Sequence, residues 1–424
     1  MKKVLVIAHQ FPPMGGSGVQ RTTKFVKYLG HFQWEPVVLT REVKNMQLTD
    51  KTLLNDIPEG IKVIRTASWD LATLPGFLGL AGKIIGKKIL IPDSERLWEI
   101  FSCKRALQSI NDDKIDLIYT TSTPYSDHLL GLYLKRKFPR LPWVADFRDE
   151  WTNNPYTFDH PHNFLRANTE KKLESDVLKH ADSIVTNTPV MMNNFISSYS
   201  QTAGKFHVIP NGYDEADFKD MPSERSANSK FTVTYTGLLY GRRKPDTFFE
   251  AARQLTAEGL IDRDKLKITL IGNYKVNYMN ELINKFDLSG VVELLPYMEH
   301  RECILKLIKS DALLLIEGNG PGSNAFYTGK IFEYMNTGRP VIAVIPEKGA
   351  AAQLVREAKI GEVADFDDIE GIKKIFLTNY KNWFQKAGTF TPEWEIIRKF
   401  ERKELTRKLS EIFDEAMSGN PTVV

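Results

Sequence analysis

The sequence predicts an α/β protein in which two doubly wound parallel sheets follow one another along the chain. Short apolar runs alternate with amphipathic segments, and this alternation is typical of βαβ units. The pattern stops in a polar segment from Asp214 to Lys230 and restarts at Phe231. A chain of 424 residues is also too long for one ordinary core. We therefore expect two domains of roughly 200 residues each, with the polar segment as the interdomain linker.

Each predicted strand is a short apolar run. In the first half of the chain the runs are Val4–Ala8, Pro36–Thr40, Leu117–Thr121, Trp143–Asp146 and Ser183–Thr186. In the second half they are Phe231–Tyr235, Lys267–Gly272, Val291–Leu294, Ala312–Ile316 and Pro340–Val344. The segment Glu393–Met417 has helical periodicity and many charged residues, which is typical of a solvated last helix or of one that packs back across the domain junction. We predict a first domain over 1–205, a second over 206–392, and a C-terminal segment, 393–424, that packs back toward the first.

Composition excludes several classes of protein. The net charge of +4 is too small to indicate a nucleic-acid partner. The two cysteines, Cys103 and Cys303, lie far apart and outside any CxxC or Cys/His spacing, so neither a disulfide framework nor a zinc site is indicated. The N-terminus leads directly into the first predicted strand, and no run reaches the ~18 apolar residues of a membrane span. We therefore expect a cytoplasmic protein.

One segment, Leu71–Ile91, mixes aliphatic residues with Lys83, Lys87 and Lys88. A basic amphipathic helix of this kind can lie on an anionic membrane surface. Three lysines contribute only about 1 kcal/mol each at such a surface, so an ordinary helix packed on the first domain is the favoured alternative. Contact with the inner face of the plasma membrane stays a hypothesis.

The segment Thr328–Ala343 is the most informative part of the chain. It predicts a short helix followed by a buried strand, with Lys330 and Glu333 in the first turn of the helix. The residues before it are turn formers, so the backbone N–H groups around Ser323 and Asn324 are free to face an anion. Because nucleotides bind at this place in a βαβ unit, phosphate is the first candidate ligand.

A run of three cations, Arg242, Arg243 and Lys244, follows the predicted strand Phe231–Tyr235 and the turn at Gly237. Arginine can bind a diphosphate bidentately and lysine can bind it as a point charge. The alternative is a solvated basic turn. The position of the run after a buried strand favours diphosphate binding.

The loop after the first predicted strand contains Gly15 and Gly16, and glycine lets the backbone approach a ligand at this edge of the sheet. As a dinucleotide fingerprint Gly16-x-Gly18 is poor, because Arg21 occupies a position that needs a small residue. Glu42, near the end of the second predicted strand, is placed where a ribose-binding acid would lie. A nicotinamide-dependent oxidoreductase and a turn that only relaxes the backbone therefore stay as alternatives.

The fourth predicted strand ends in charged residues, Asp146, Arg148 and Asp149. Such groups are costly to bury unless they bind a ligand or one another, so they form either a functional site or a structural ion pair. Three further candidates for the same region are Asp93, Trp98 and His128, although a lone tryptophan or histidine is more often structural.

No catalytic metal or nucleophile is indicated. The two Asp-x-Asp triplets, Asp262–Asp264 and Asp365–Asp367, lack a supporting histidine or third acid, so we interpret both as surface turns and predict no metal. A Gly-x-Ser-x-Gly nucleophile elbow is missing from the sequence.

In their order along the chain, these motifs resemble retaining glycosyltransferases of the GT-B fold, specifically glycosyltransferase family 4 and its bacterial surface-polysaccharide branch. The resemblance covers nearly the whole chain and rests on Gly15–Gly16, Val144–Trp151, Val208–Asp214, Gly237–Pro245 and Lys330–Val341. It implies two Rossmann-like domains that face one another across a cleft. It also implies that the nucleotide-sugar donor binds the second domain and the acceptor binds the first.

The resemblance assigns roles residue by residue. Arg243 and Lys330 would hold the donor diphosphate, Glu333 would bond the ribose, and Gly16 would lie beneath the pyrophosphate. Arg148 falls where many relatives carry a histidine near the transferred sugar. The full set of candidates is catalytic Arg243, Lys330, Arg148 and Asp149; donor-binding Gly15, Gly16, Gly237, Arg242, Ser323, Asn324 and Glu333; and acceptor-side Asp146, Asp93, Trp98 and His128.

The chain departs from the family pattern at one position. Much of the family has two glutamates separated by seven residues, and eight positions before Glu333 stands Ala325. The carboxylate that contacts the donor sugar elsewhere is missing from that place.

The implied reaction is transfer of a sugar from a nucleoside diphosphate to a glycan or lipid-linked acceptor, with retention of configuration and without a cofactor or metal. An inactive nucleotide-sugar-binding module is a third alternative, motivated by Ala325.

Overall fold

The computed structural model describes residues 1–43, 49–68, 90–222, 228–386 and 390–419. The chain divides into two compact units, one formed by Met1–Asn211 with Arg402–Val424 and one formed by Gly212–Glu401. Each unit is a parallel sheet with helices on both faces, so the predicted α/β class with two doubly wound domains is confirmed.

The first unit contains, among its described residues, a seven-stranded sheet in the order β3-β2-β1-β4-β5-β6-β7. Its strands are β1 (Lys2–Ile7), β2 (Trp34–Arg41), β3 (Lys62–Thr66), β4 (Leu117–Ser122), β5 (Trp143–Phe147), β6 (Ser183–Thr186) and β7 (Phe206–Val208). The α-helices of this unit are α1 (Ser17–Leu29), α2 (Arg96–Asp112), α3 (Ser126–Lys137), α4 (Pro155–Asp159), α5 (Phe164–His180), α6 (Pro189–Ser198) and, from the end of the chain, α14 (Arg402–Ser418).

The second unit contains, in the part that the structure describes, a six-stranded sheet in the order β10-β9-β8-β11-β12-β13. Its strands are β8 (Phe231–Thr236), β9 (Leu266–Ile271), β10 (Val292–Leu295), β11 (Ala312–Ile316), β12 (Val341–Val344) and β13 (Gly361–Ala364). Its α-helices are α7 (Asp246–Ala257), α8 (Val276–Lys285), α9 (His300–Ile308), α10 (Lys330–Asn336), α11 (Ala350–Glu357), α12 (Ile369–Phe384) and α13 (Trp394–Ile397).

Side chains alternate between the two faces of each sheet, so each unit has two apolar layers. On β11, Leu314 and Ile316 pack with α7 and α12, whereas Leu313 and Leu315 pack with α10 and α11. Strand order reverses beside β1 in the first sheet and beside β8 in the second. Ligands of doubly wound sheets bind at the carboxyl ends of strands near such a reversal, and this rule locates the candidate sites.

The C-terminal helix α14 belongs to the first unit. Phe413 packs edge-on against Trp34 and Tyr119, with ring centroids 5.2 and 5.6 Å apart, and the Trp34 indole donates to the Asp414 carboxylate at 3.1 Å. The apolar stripe of α14 thus completes one face of the first sheet.

The unit boundaries differ from the prediction. The first unit continues to Asn211 instead of ending at 205, because Phe206–Val208 pairs with Ser183–Thr186 as the last strand of the first sheet. The second unit begins at Gly212 and ends at Glu401. The described residues of the predicted linker, 214–222 and 228–230, therefore belong to the second unit.

The predicted membrane-contact segment, Leu71–Ile91, lies outside the described residues except for its last two positions. No helix in the described ranges is long and apolar enough to span a membrane.

Candidate functional site

The clearest candidate site lies at the carboxyl edge of the second sheet. The loops after β8 and β11 meet there, and α10 begins there with Lys330. Gly272, in the loop after β9, lies so close to the loop after β8 that a β-carbon would be 2.1 Å from the Gly237 carbonyl oxygen. Both glycines have positive φ, 110° at Gly237 and 149° at Gly272, which favours glycine over other residues.

Lys330 is the central cation of this edge. Its ammonium group donates to the Tyr235 hydroxyl at 2.7 Å and lies 4.1 Å from the centroid of the same ring. A β-carbon on Gly237 would lie 3.1 Å from Lys330 Nζ, so the glycine leaves space for the lysine. Burial and the charge of Arg243 lower the pKa of Lys330 to about 7, although the nearby Glu317 and Glu333 oppose this change.

Arg243 is half-buried beside Lys330. Its guanidinium carbon lies 5.9 Å from the centroid of the Tyr240 ring and 6.0 Å from that of Phe326. Aromatic faces of this kind hold a planar guanidinium without neutralising its charge. Arg243 and Lys330, which the sequence assigns to the diphosphate, are therefore brought together with their charges available to an anion.

Arg242 holds two loops of this edge together. Its guanidinium donates to the Pro321 carbonyl at 2.8 Å and to the Ser323 hydroxyl at 3.0 Å. A β-carbon on Gly318 would lie 2.0 Å from the Arg242 carbonyl oxygen. Arg242 and Ser323 were both expected to bind the donor. Their hydrogen bond joins the loop after β8 to the glycine-rich loop after β11, and Ser323 is buried. Asn324 is exposed.

Glu333 is held by a histidine that the sequence analysis did not select. His300, at the start of α9, donates through Nε2 to the Glu333 carboxylate at 2.7 Å. Both side chains are mostly buried, with 15% and 18% of their surfaces exposed. The imidazole therefore fixes the orientation of the Glu333 carboxylate.

Glu317 is the second residue that sequence reasoning missed. It follows β11 directly, is only 1% exposed, and neither carboxylate oxygen has a hydrogen-bond partner of ordinary geometry in the described part of the chain. Burial raises the pKa of Glu317 to about 7, against the opposing influence of Arg243, Lys330 and the Thr328 backbone amide. A polar residue at the end of an apolar strand is the only sequence signal.

The position of the absent family acid is occupied by a small apolar side chain. Ala325 lies in a short 3₁₀ turn, Ser323–Ala325, and is 4% exposed. The turn therefore buries a methyl group where much of the family has a carboxylate.

The carboxyl edge of the first sheet is organised around a buried ion pair. Arg21 donates through Nε and Nη2 to the two carboxylate oxygens of Asp146, each at 2.9 Å, and both side chains are fully buried. Arg21 also donates to the carbonyls of Ile209 and Pro210 at 2.9 and 2.8 Å, and the Tyr119 hydroxyl donates to Asp146 at 2.5 Å. The arginine lowers the pKa of Asp146 against the effect of burial.

This network corrects the expected acceptor-side role of Asp146. Its carboxylate is saturated by Arg21, Tyr119 and Thr121 and is closed to solvent, so the structural Asp–Arg pair describes it better. The partner is Arg21 and not the neighbouring Arg148.

Arg148 is likewise turned inward. Its Nε donates to the Ser122 carbonyl and its Nη2 to the Thr123 carbonyl. A β-carbon on Gly18 would lie 2.0 Å from Arg148 Nη1, so the guanidinium fills the space beneath the first turn of α1. Only 7% of Arg148 is exposed. The catalytic role expected for Arg148 has no support from this placement, whereas Asp149 is exposed at the end of β5.

The glycine loop before α1 is placed as expected. Gly16 is exposed, has φ 115° and precedes the helix, and its carbonyl accepts the amides of Val19 and Gln20. Gly15 is half-buried beside it.

Two further acceptor-side candidates, Asp93 and His128, stabilise the fold at this edge. Asp93 accepts the backbone amides of Tyr125 and Ser126 at 2.7 and 3.1 Å and so caps α3. The imidazole of His128 is fully buried, 2.8 Å from the Thr120 hydroxyl, and burial lowers its pKa to about 3.

Trp98 is fully buried against His9, with centroids 5.0 Å apart. The sequence analysis did not select His9 or Asp127. The His9 amide donates to Asp127 at 2.9 Å, and burial lowers the pKa of His9 to about 3 and raises that of Asp127. His9 Nδ1, Trp98 Nε1 and Asp127 Oδ1 are buried without hydrogen-bond partners in the described ranges.

Both Asp-x-Asp triplets stand in turns. Asp262 accepts the Asp264 amide at 2.9 Å at the start of a 3₁₀ turn. Asp365 follows β13 and accepts a hydrogen bond from Asn319, which anchors the glycine-rich loop.

Comparisons with known proteins agree with this arrangement. The model of Glycosyltransferase Family 4 matches residues 21–217. D-inositol 3-phosphate glycosyltransferase of Kineococcus radiotolerans is 24% identical over 142 residues, which are 30% of this chain and 33% of that relative. The aligned region thus spans about a third of the curated relative.

Two solved structures resemble the whole chain. Sucrose-phosphate synthase from Thermosynechococcus elongatus has a TM-score of 0.71 at 13% identity, with 99% of this chain and 100% of that one covered. HepE of Anabaena, solved in complex with UDP, has a TM-score of 0.66 at 17% identity, with 98% and 100% covered. At these identities the two structures show a shared fold. The whole chain therefore has the GT-B fold of glycosyltransferases, and its residues 21–217 are similar to glycosyltransferase family 4.

Proposed function

We propose that this protein transfers a sugar from a nucleoside-diphosphate sugar to a hydroxyl group of a glycan or lipid-linked glycan, with retention of configuration, in cell-surface polysaccharide synthesis. The observation that carries the donor assignment is the position of Lys330 beside Gly237 at the carboxyl edge of the second sheet, where the charge of Arg243 acts on it. The residues in contact with these cations are uncharged side chains, Tyr235, Tyr240 and Phe326.

The chemistry follows from where charge develops. As the bond between the sugar and the diphosphate breaks, negative charge accumulates on the leaving phosphate. Preorganised cations stabilise that charge without reorganising during the reaction. Lys330 and Arg243 would supply this stabilisation without a metal ion.

For retention we favour attack from the face that the diphosphate leaves. The acceptor hydroxyl forms the new bond to the anomeric carbon as the bond to the diphosphate breaks, and the leaving phosphate oxygen takes the acceptor proton. The resemblance to retaining family 4 enzymes supports this assignment.

Glu333 would bind the ribose of the nucleoside. Its orientation by His300 supports the proposal, because a carboxylate fixed by an imidazole loses less conformational freedom when it binds a diol. The UDP bound in the Anabaena structure supports a nucleoside diphosphate as the ligand class.

The acceptor would bind the first unit, at the carboxyl edge of its sheet. His9, Trp98 and Asp127 have buried polar atoms that lack partners within the described residues, and polar groups left in this way are costly unless a ligand bonds them. Burial lowers the pKa of His9 to about 3, so its imidazole is uncharged, and burial raises the pKa of Asp127. Such groups suit the hydroxyl groups of a sugar.

The test of the donor assignment starts with a panel of nucleotide sugars in a thermal-shift assay, since a ligand that binds only the native state raises its melting temperature. Lys330→Ala and Arg243→Ala should each lower transfer by about 10²- to 10³-fold, the usual loss of one charge-stabilising group. Lys309→Ala is the control, because Lys309 is an exposed lysine of the same unit that precedes β11 and so lies away from the carboxyl edge. Unchanged turnover in the Lys330 and Arg243 variants would reject the assignment.

The same panel separates the alternatives. An oxidoreductase would be stabilised by NAD. Arg21 argues against this alternative, because it stands where a dinucleotide fingerprint needs a small residue, and its side chain is fully buried in a pair with Asp146. An inactive binding module would be stabilised by a nucleotide sugar but would neither hydrolyse nor transfer it in a mixed acceptor pool.

Contact with the cytoplasmic face of the membrane is proposed from the basic segment Leu71–Ile91. Liposome flotation of the wild type and of a variant without Lys83, Lys87 and Lys88 tests it, and equal partition of the two proteins would reject it.

A further inference from the structure

The carboxylate of Glu317 is out of place in a strand end that is otherwise apolar. Its backbone amide donates to the Val344 carbonyl at 3.0 Å, so the residue continues the ladder of the sheet. Leu313 and Leu315 point to the face that α10 covers. Because side chains alternate along a strand, Glu317 points to the same face, toward the start of α10.

This direction brings the Glu317 side chain toward the two cations of the proposed donor site. Arg243 and Lys330 are the charged residues that act on Glu317. The groups with an electrostatic effect on the Lys330 ammonium are Arg243, Glu317, Glu333 and the thiol of Cys303. Lys330 also donates a hydrogen bond to the Tyr235 hydroxyl. Glu317 forms no close salt bridge among the described residues, so its charge acts on the cations at longer range.

A buried carboxylate without hydrogen bonds is costly, so an apolar residue would stabilise the strand end better. Two cations side by side are costly as well, because each disfavours the charged form of the other. A negative charge behind them reduces that repulsion. The structure therefore offers an electrostatic reason for a glutamate at this position.

We propose that Glu317 is a positioning residue of the donor site, whose negative charge keeps Lys330 protonated beside Arg243 so that both cations face the donor diphosphate. This inference rests on the proposed function, since it needs a diphosphate to bind there. It is distinct from the sugar-contacting acid that Ala325 replaces, because Glu317 directly follows β11 and is only 1% exposed.

A diphosphate prefers charged Lys330, whose pKa of about 7 in the free protein means that affinity falls as pH rises through this range. Removing the charge of Glu317 lowers the pKa of Lys330 further, so the fall in affinity moves to lower pH. A shift of one pKa unit corresponds to about tenfold in affinity on the alkaline side.

The experiment measures binding of UDP, GDP and inorganic pyrophosphate by calorimetry between about pH 6 and about pH 9, the range that brackets the lysine titration. Pyrophosphate makes the result independent of the nucleoside base. We expect Glu317→Gln to move the midpoint of the affinity loss about one unit lower. Glu302→Gln, which removes an exposed carboxylate from the same unit, should leave the midpoint unchanged.

Two failures are distinguishable. If the wild type binds none of these three ligands at any pH, the proposed donor site is wrong and the inference fails with it. If the wild type binds and Glu317→Gln has the same midpoint, the role of Glu317 alone is wrong.

Should Glu317→Gln not fold, Glu317→Leu is a second variant, because an apolar residue of similar size suits a buried strand end. It also removes the carboxylate charge, so we expect the midpoint of the affinity loss to move to lower pH in the same way. An unchanged midpoint in Glu317→Leu would overturn the inference.

Discussion

The carboxyl edges of the two sheets use buried charge in opposite ways. At the edge of the first sheet, Arg21 is neutralised by Asp146, and Arg148 is bonded to main-chain carbonyls. At the edge of the second sheet, Lys330 and Arg243 contact a hydroxyl and aromatic rings. The first edge therefore uses its cations to hold loops together, whereas Lys330 and Arg243 at the second edge form no close ion pair with the described residues. A charged residue at a strand end indicates a site only when its charge is left available.

The largest expected effect tests the structural half of this comparison. Arg21→Met removes one partner of a fully buried pair and leaves Asp146 as an uncompensated charge, which typically costs about 3–5 kcal/mol. Denaturant unfolding measures the loss. Arg140→Met, at an exposed position of the same unit, is the control and should change the free energy of unfolding by less than about 0.5 kcal/mol. A loss below about 1 kcal/mol for Arg21→Met would contradict the structural assignment of this pair.

The second prediction concerns the neutral histidines of the first edge. His128 has its pKa lowered to about 3, and a group whose folded pKa lies below the unfolded value loses stability as pH falls below about 6.5. At about pH 5 this amounts to about 2 kcal/mol. In His128→Phe, the decrease in the free energy of unfolding from about pH 7 to about pH 5 should be smaller by about that amount.

The test compares how steeply the free energy of unfolding changes with pH in the wild type and in His128→Phe. A loss of stability that is the same at every pH does not affect this comparison. Asp146 and Arg148 are the charged groups that act on His128, and both remain in the variant. Equal acid sensitivity of the two proteins would show that His128 is not held neutral.

The third prediction tests the close approach of backbone and lysine at the second edge. Gly237→Ala places a methyl group 3.1 Å from Lys330 Nζ at a φ of 110°, so the lysine or the loop must move. We expect the affinity for pyrophosphate to fall about tenfold, which is about 1.4 kcal/mol. Gly241→Ala is a matched control in the same loop, since it also has positive φ but has nothing within 4 Å of the added β-carbon. Equal pyrophosphate affinities of the two variants would show that Gly237 does not lie at the anion site.

The architecture could be predicted from the sequence wherever burial was high. The ten predicted runs all appear as strands, and nine of them are mostly buried. The tenth, β10, is half-buried at a sheet edge, but its sequence is still largely apolar. The strands β3, β7 and β13 were not among them. All three stand at or next to the edge of a sheet, where side chains are only half-buried and the sequence is more polar.

The candidate site could be predicted to the extent that single loops carry it. Lys330, Arg243 and Gly237 stand in motifs that are recognisable along the chain. Glu317 and His300 belong to no such motif. They come close to Lys330 and Glu333 of α10 only because the chain folds β11 and α9 against that helix. Nor could the sequence decide between Arg21 and Arg148 as the partner of Asp146, because the choice depends on how α1 packs against the sheet.

The smallest expected effect separates nucleoside binding from phosphate binding within the second edge. His300→Gln removes the imidazole that donates to Glu333. A hydrogen bond to a charged group contributes about 1.5–3 kcal/mol, but glutamine also donates a hydrogen bond, so we expect the affinity for the nucleoside diphosphate to fall only about five- to tenfold. Pyrophosphate affinity should not change, because it lacks the ribose. His180→Gln, at an exposed position, is the control. An equal loss of affinity for both ligands would place His300 with the phosphate-binding cations, and no loss for either would remove Glu333 from the ribose site.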